Sequence, residues 1–116
     1  MPPFELEHQE TEEPGVLHVA VSGELDLTNA RELEDRIGEL TAGEASLVAL
    51  VLDLNRVVFI DSAALHVLFR TARRSRTGIV LAQTAPVART VEIVGLSEAA
   101  VVGESLAAVL AAIGMR

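Results

Sequence analysis

Two nearly unbroken aliphatic runs constrain this chain more than any other feature. Leu47 to Leu54 reads Leu-Val-Ala-Leu-Val-Leu-Asp-Leu, and Ile79-Val80-Leu81-Ala82 forms a shorter second run. A strand with one face in water alternates apolar and polar residues; a run that is apolar at nearly every position suits a strand buried on both faces, as in a parallel sheet. Between the runs, Leu65, Leu68, Phe69 and Ala72 recur at i, i+3, i+4 and i+7, and Gly78 follows an Arg-rich last turn. That spacing predicts a helix joining two neighbouring central strands.

The flanking segments extend the alternation. Phe4 to Glu7 and Val16 to Ser22 each alternate at period two, and the Glu12-Glu13-Pro14-Gly15 stretch between them carries turn chemistry, so an N-terminal hairpin is expected. Thr28 is placed to cap a helix in which Ala30, Leu33, Ile37 and Leu40 form the apolar stripe and Glu32, Asp35 and Glu39 another face. Val87, Val91 and Val94 mark a helix between Pro86 and Gly95. Val101-Val102 reads as a short strand, and Leu106, Val109, Leu110 and Ile113 as a C-terminal helix. Strands and helices alternate, which defines an α/β class.

The chain has 116 residues, which fits one domain with one sizeable core, over 1–116 with residues 1–3 and 114–116 fraying at the ends. Cysteine is absent, which removes disulfides and thiolate chemistry, and the first residues lack the basic start and apolar stretch of a secretion signal. No window approaches the ~18 apolar residues of a membrane span, and a cytoplasmic location is expected. The net charge is −8, with nine Arg and no Lys against seventeen acids, twelve of them within residues 1–44. Such a chain repels phosphate backbones and anionic lipid, and with no Tyr or Trp it has little on which bases could stack. Nucleic acid is not an expected partner.

The segment with most chemical content is Asp53-Leu54-Asn55-Arg56-Val57-Val58-Phe59-Ile60-Asp61-Ser62-Ala63-Ala64-Leu65, read as a buried strand passing through a loop into a helix start. Asp61 and Ser62 at a helix's first residues can serve simply as caps for free backbone N–H groups. They also suit a regulated phosphosite, because a helix N-terminus partly stabilises the ~1.5–2 negative charges of a phosphoserine.

This segment resembles the signature of STAS domains, specifically bacterial anti-sigma-factor antagonists, with usual form D-L-S-x-V-x-F-I-D-S-S/T-G-L. Gly23-Glu24-Leu25-Asp26 is similar to that family's G-E-L-D element. Ala85-Pro86-Val87-Ala88-Arg89 with Val94-Gly95-Leu96 resembles its S-P-x-V-x-R and x-G-L stretch. The three matches occur in order and span most of the chain. The resemblance implies a single domain with a mixed four- to five-stranded sheet and helices mainly on one side.

It also implies partner switching without catalysis by this chain and without a cofactor. The unphosphorylated domain would bind an anti-sigma factor that is also a serine kinase, freeing the sigma factor. Phosphorylation at Ser62 would reverse this, and a serine phosphatase would restore the hydroxyl. The implied partner surface is Glu24, Asp26, Asn55, Asp61, Ser62 and Leu65, with the Asp26 loop near Ser62. The sequence departs from the pattern at Ala63, where Ser or Thr is usual, and at Ala64, where Gly is usual.

Two other readings remain. One keeps the fold but makes the chain a constitutive scaffold, as in a lipid-transport ABC complex or a stressosome-like assembly, and Ala63 and Ala64 favour it. The other is a small enzyme using Asp26 and Asp61, with Asp53 a further carboxylate; the chain has no phosphate-loop, dinucleotide or hydrolase-elbow motif to support it. His8, His18 and His66 lack i, i+3 or i, i+4 histidine partners, so no metal is expected. Arg70, Arg73, Arg74 and Arg76 read as a solvated face favoured by the helix dipole, or as one edge of an interface. The oligomeric state is not legible.

Overall fold

The computed structural model describes residues 4–114. Five strands, β1 (Phe4–Gln9), β2 (Val16–Leu25), β3 (Ala49–Ile60), β4 (Thr77–Val80) and β5 (Val101–Gly103), form one sheet in the order β1-β2-β3-β4-β5. β1 is antiparallel to β2, completing the expected hairpin, and the remaining pairs are parallel. Helices α1 (Ala30–Ala42), α2 (Ser62–Arg74) and α3 (Ala88–Val94) cross over between successive parallel strands, and α4 (Leu106–Ile113) follows β5.

This topology decides where the helices lie. Each crossover steps to the next strand in the same direction, and parallel crossovers are right-handed, so α1, α2 and α3 must fall on one face. The larger core forms there: Leu17, Val19 and Val21 of β2 and Leu50, Leu52 and Leu54 of β3 pack with Leu33, Ile37, Leu65, Leu68 and Val91. The intervening residues point the other way, where Val16, Ala49, Val51 and Val80 pack against Val109, Leu110 and Ile113 of α4. The aliphatic run of β3 is therefore buried on both faces. Removing one fully buried side chain from it, as in Leu52→Ala, costs about 2–5 kcal/mol.

Glycine is required at specific places. Gly78 in β4 lies where an added Cβ would collide with the Val109 side chain, so this glycine sets how closely α4 approaches the sheet. Gly95 adopts φ 75° and ends α3 in the left-handed conformation that other residues resist.

Three expectations are corrected. β3 does not stop at Leu54 before a loop; it runs to Ile60 and passes to α2 through Asp61 alone. Its alternation is hidden because it bulges twice. Ala20 is opposite Asp53 but Ser22 is opposite Arg56, and Gly23 is opposite Val57 but Glu24 is opposite Phe59, so β3 spends one extra residue at each step. Thr28 does not cap α1, which begins at Ala30 with Asn29 in the cap position; the Thr28 N–H and hydroxyl both donate to Asp26 Oδ1. The Arg cluster is not merely a solvated face. Arg70 donates two 2.9 Å bonds to Glu34, Arg74 adds a third at 3.2 Å, and Arg76 donates to the Ile113 carbonyl.

At the ends, Gly114 is the C-cap of α4 with φ 99°; of the residues expected to fray, 1–3 and 115–116 lie outside the described residues. Among the described residues no helix is long and apolar enough to cross a membrane.

Candidate functional site

The site is built where β2 and β3 end and α1 and α2 begin. Leu25 and Ile60 are opposite one another and both buried, and the Asp61 N–H donates to the Leu25 carbonyl at 3.1 Å. Asp61 then caps α2. Its Oδ1 accepts the Ala64 N–H at 3.1 Å, and its carbonyl accepts Leu65 N–H at 2.9 Å. The other carboxylate oxygen, Oδ2, accepts the Leu27 N–H at 3.0 Å. One side chain thus holds both a helix start and a loop distant in sequence.

The 24–29 loop has its own internal tie. The buried Asn29 side chain accepts from the Asp26 N–H at 2.9 Å and donates to the Glu24 carbonyl at 2.8 Å. Gly23, just upstream, has φ 99°, a backbone conformation that a side chain would strain, which accounts for glycine in the Gly23-Glu24-Leu25-Asp26 element. The loop that carries Asp26 is tied to Asp61 through the Leu27 N–H.

Ser62 is the first residue of α2, exposed, and its hydroxyl has no hydrogen-bond partner among the described residues. It is therefore not a cap; Asp61 performs that role alone. Ala63 and Ala64 lie within the helix, and Ala64 is fully buried. A Gly-to-Ala difference at such a position favours helix rather than straining a loop.

The remaining expected surface residues divide. Glu24 is exposed and Asp26 half-buried, but Leu65 is 6% exposed and belongs to the core, so its side chain offers little surface to a partner. Asn55 is half-buried and fully engaged. Its Oδ1 accepts the Ala82 N–H at 2.8 Å while its N–H and Nδ2 both donate to Asp53 Oδ1 at 2.9 Å. Asn55 thus pins the first bulge of β3 and clamps the chain leaving β4.

Three exposed apolar residues adjoin the site and were not singled out from sequence: Leu27 at 77%, Val58 at 57% and Phe59 at 50%. A signal existed. Leu27 stands off the Ala30/Leu33/Ile37 stripe, and Val58 and Phe59 are consecutive apolar residues that cannot both face the core of an alternating strand.

Beside the site, a groove between α1 and α2 runs from Leu27 and Ala63 past His66 to Arg70. The Arg70 guanidinium, hydrogen-bonded to Glu34, holds that carboxyl below its usual value, with Arg74 adding to the effect. On the opposite face of the sheet, burial lowers the His18 imidazole from its usual value. The nearby Asp53 opposes that shift, His8 adds to it, and neither ring nitrogen of His18 has a hydrogen-bond partner among the described residues.

The family model described as the STAS domain matches residues 8–109. The chain belongs to the STAS-domain family. Among curated relatives, this STAS domain is 33% identical over 87 residues to the anti-sigma-F factor antagonist RsfB of Mycobacterium tuberculosis, covering 72% of this chain and 70% of that protein. Among solved structures it is similar to an anti-sigma factor antagonist from Mycobacterium paratuberculosis. That match has 31% identity, coverage of 95% and 93% of the two chains and a TM-score of 0.79. Unphosphorylated SpoIIAA, an anti-sigma factor antagonist 16% identical with a TM-score of 0.66, covers 97% and 98% of the two chains and shares the fold. The expected sheet with helices mainly on one side is the STAS architecture observed.

Proposed function

We propose that this STAS domain is an anti-sigma-factor antagonist that works in the cytoplasm by partner switching at Ser62. The observation that carries the reading is the position of Ser62: exposed, without a hydrogen-bond partner among the described residues, and first in a helix whose start is locked by Asp61. The relatives named above, at 31% and 33% identity, support the antagonist role.

In its unphosphorylated form the domain binds an anti-sigma factor that carries serine kinase activity, and the sigma factor is released. The kinase then transfers the γ-phosphoryl group of its ATP to Ser62 Oγ, leaving ADP, while the hydroxyl proton passes to a base on the kinase. A serine phosphatase reverses the state by hydrolysing the ester with water. The α2 N-terminus favours the added charge, so the domain stays folded. Glu24, Asp26 and Asp61 already make this edge acidic, so a phosphate concentrates negative charge where the partner docks and disfavours the complex. This chain accepts the phosphoryl group and performs no catalysis of its own.

The test is a pull-down from native lysate with wild-type, Ser62→Ala and Ser62→Asp baits, the retained proteins being identified by mass spectrometry. An anti-sigma factor with a kinase domain should be retained by wild type and Ser62→Ala and lost with Ser62→Asp. Equal retention by all three, or retention only of a transporter or scaffold component, would overturn the switch.

A further inference from the structure

The second half of β3 outruns the sheet. β4 pairs only with Leu50 to Asp53, where the Asn55 side chain takes the Ala82 N–H and the chain turns away. From Arg56 to Ile60, β3 is paired on its β2 side, and among the described residues no strand pairs with the side that β4 has left. On the β2 side Val58 has no register partner either, because the second bulge places it between the Val57 and Phe59 pairs.

Open strand edges invite pairing with other chains, and folded proteins usually blunt them. The β1 edge is blunted here by Glu5, Glu7 and His8, and the β5 edge is only three residues long. The overhang of β3 is treated differently. Beyond the exposed Arg56 at its start it carries no charge and no proline, its Val58 and Phe59 are exposed and apolar, and it leads through Asp61 directly to Ser62.

We propose that Arg56–Ile60 is a strand-addition site, at which an extended apolar and basic segment of the anti-sigma factor pairs with the β3 backbone beside Ser62. This rests on the function proposed above and deepens it by naming how the partner is held. Main-chain hydrogen bonds supply affinity in such docking, and side-chain contacts supply selectivity. Val58 and Phe59 offer the apolar contacts. The basic character follows from the surroundings: Glu24 lies opposite Phe59, Asp26 and Asp61 adjoin it, and the whole chain carries −8. The same charge disfavours a second copy of this chain as occupant.

The experiment uses the full chain and the anti-sigma factor retained by the wild-type bait, with amide hydrogen exchange measured free and in complex. Slowed exchange at Arg56 to Phe59 in the complex is the expected result. Two variants separate backbone from side chain. Val58→Pro removes an N–H from the overhang, at a bulge where proline is tolerated, and Val58→Ala keeps the N–H. Loss of one or two intermolecular hydrogen bonds predicts about tenfold weaker binding for Val58→Pro, with Val58→Ala within about threefold of wild type.

Protection confined to residues 26–28 and α2, or equal weakening by both variants, would overturn strand addition while leaving the antagonist reading intact. Retention of no anti-sigma factor by the wild-type bait would overturn both. Concentration-dependent dimers with the same protected amides would replace the partner segment with a second copy. If Val58→Pro fails to fold, the exchange pattern of the wild-type complex decides.

Discussion

Asp61 Oδ2 accepts the Leu27 amide at 3.0 Å across 34 residues of sequence, while Oδ1 of the same carboxylate accepts Ala64 at 3.1 Å. The two oxygens have separable effects. Asp61→Ala removes both and is expected to destabilise the domain by roughly 1–3 kcal/mol, the sum of a lost cap and a freed loop amide. Asp61→Ser can restore the cap but not the reach to Leu27. It should recover part of the denaturant midpoint while amide exchange at residues 26–28 stays fast.

Asn55 holds the end of β4 through Ala82. Replacing it with Ala leaves that amide without its acceptor and removes the Nδ2 donor to the Asp53 carboxylate, while the backbone N–H of position 55 still donates to Asp53. A loss of about 1–3 kcal/mol is expected from urea unfolding. Exchange should rise at Ala82 before it rises in the core of β3.

The ion pair between helices gives an acid-range signature. Glu34 has its carboxyl lowered by hydrogen bonding to Arg70, so its contribution is present above the unfolded-state value near 4.5 and is lost as pH falls through the lower folded-state value. Glu34→Gln should therefore lower Tm at pH 7, and the gap between variant and wild type should close in acid. Both partners are partly exposed, so added salt should shrink the gap as well.

His18 acts in the same direction but over a higher pH interval, because here it is the neutral form that the fold favours. Its folded-state value lies below 6.5, so the unfolded chain binds protons more readily in the interval between the two values, and stability falls as pH drops through that interval. His18→Ile should flatten this part of the stability profile. It should also raise stability at neutral pH by about 1 kcal/mol, because two buried ring nitrogens with no partner among the described residues are removed. Denaturant midpoints from pH 5 to 8 measure both effects.

How much was legible depended on whether a residue's partner was near in sequence. The double burial of Ala49 to Leu54, the α2 stripe and the short strand at Val101 could all be read from local periodicity, because a core on both faces and a helix on one face each impose a repeat; Leu47 and Val48 of the same run precede the strand, and Val48 is exposed. The reach of β3 to Ile60 could not, since two bulges break the repeat where Asn55 and Arg56 already look like loop. Thr28 met the local rule for a cap, yet Asp26 captured its hydroxyl and Asn29 took the cap position. The link from Arg70 to Glu34 joins two helices, so the i, i+4 logic that made the Arg residues look solvated had no access to it. At the site, Asp61, Ser62 and the Asp26 loop were legible from the motifs, whereas Leu27, Val58 and Phe59 stand out only once the strand's end is traced.

The two extra residues in β3 make its spacing uneven. Its core-facing side chains are Leu50, Leu52, Leu54, Val57 and Ile60, so each surplus residue stretches one step of the alternation. Deleting one would restore plain alternation and keep Ile60 facing the core, but it would flatten the bend, and at the first bulge it would disturb the Asn55 side chain that serves the Ala82 N–H. The interval from Asp53 to Asp61 is therefore constrained by the shape its bulges give the strand rather than by which way its side chains face. The 10–15 turn between β1 and β2 is under no comparable constraint and should accept an insertion.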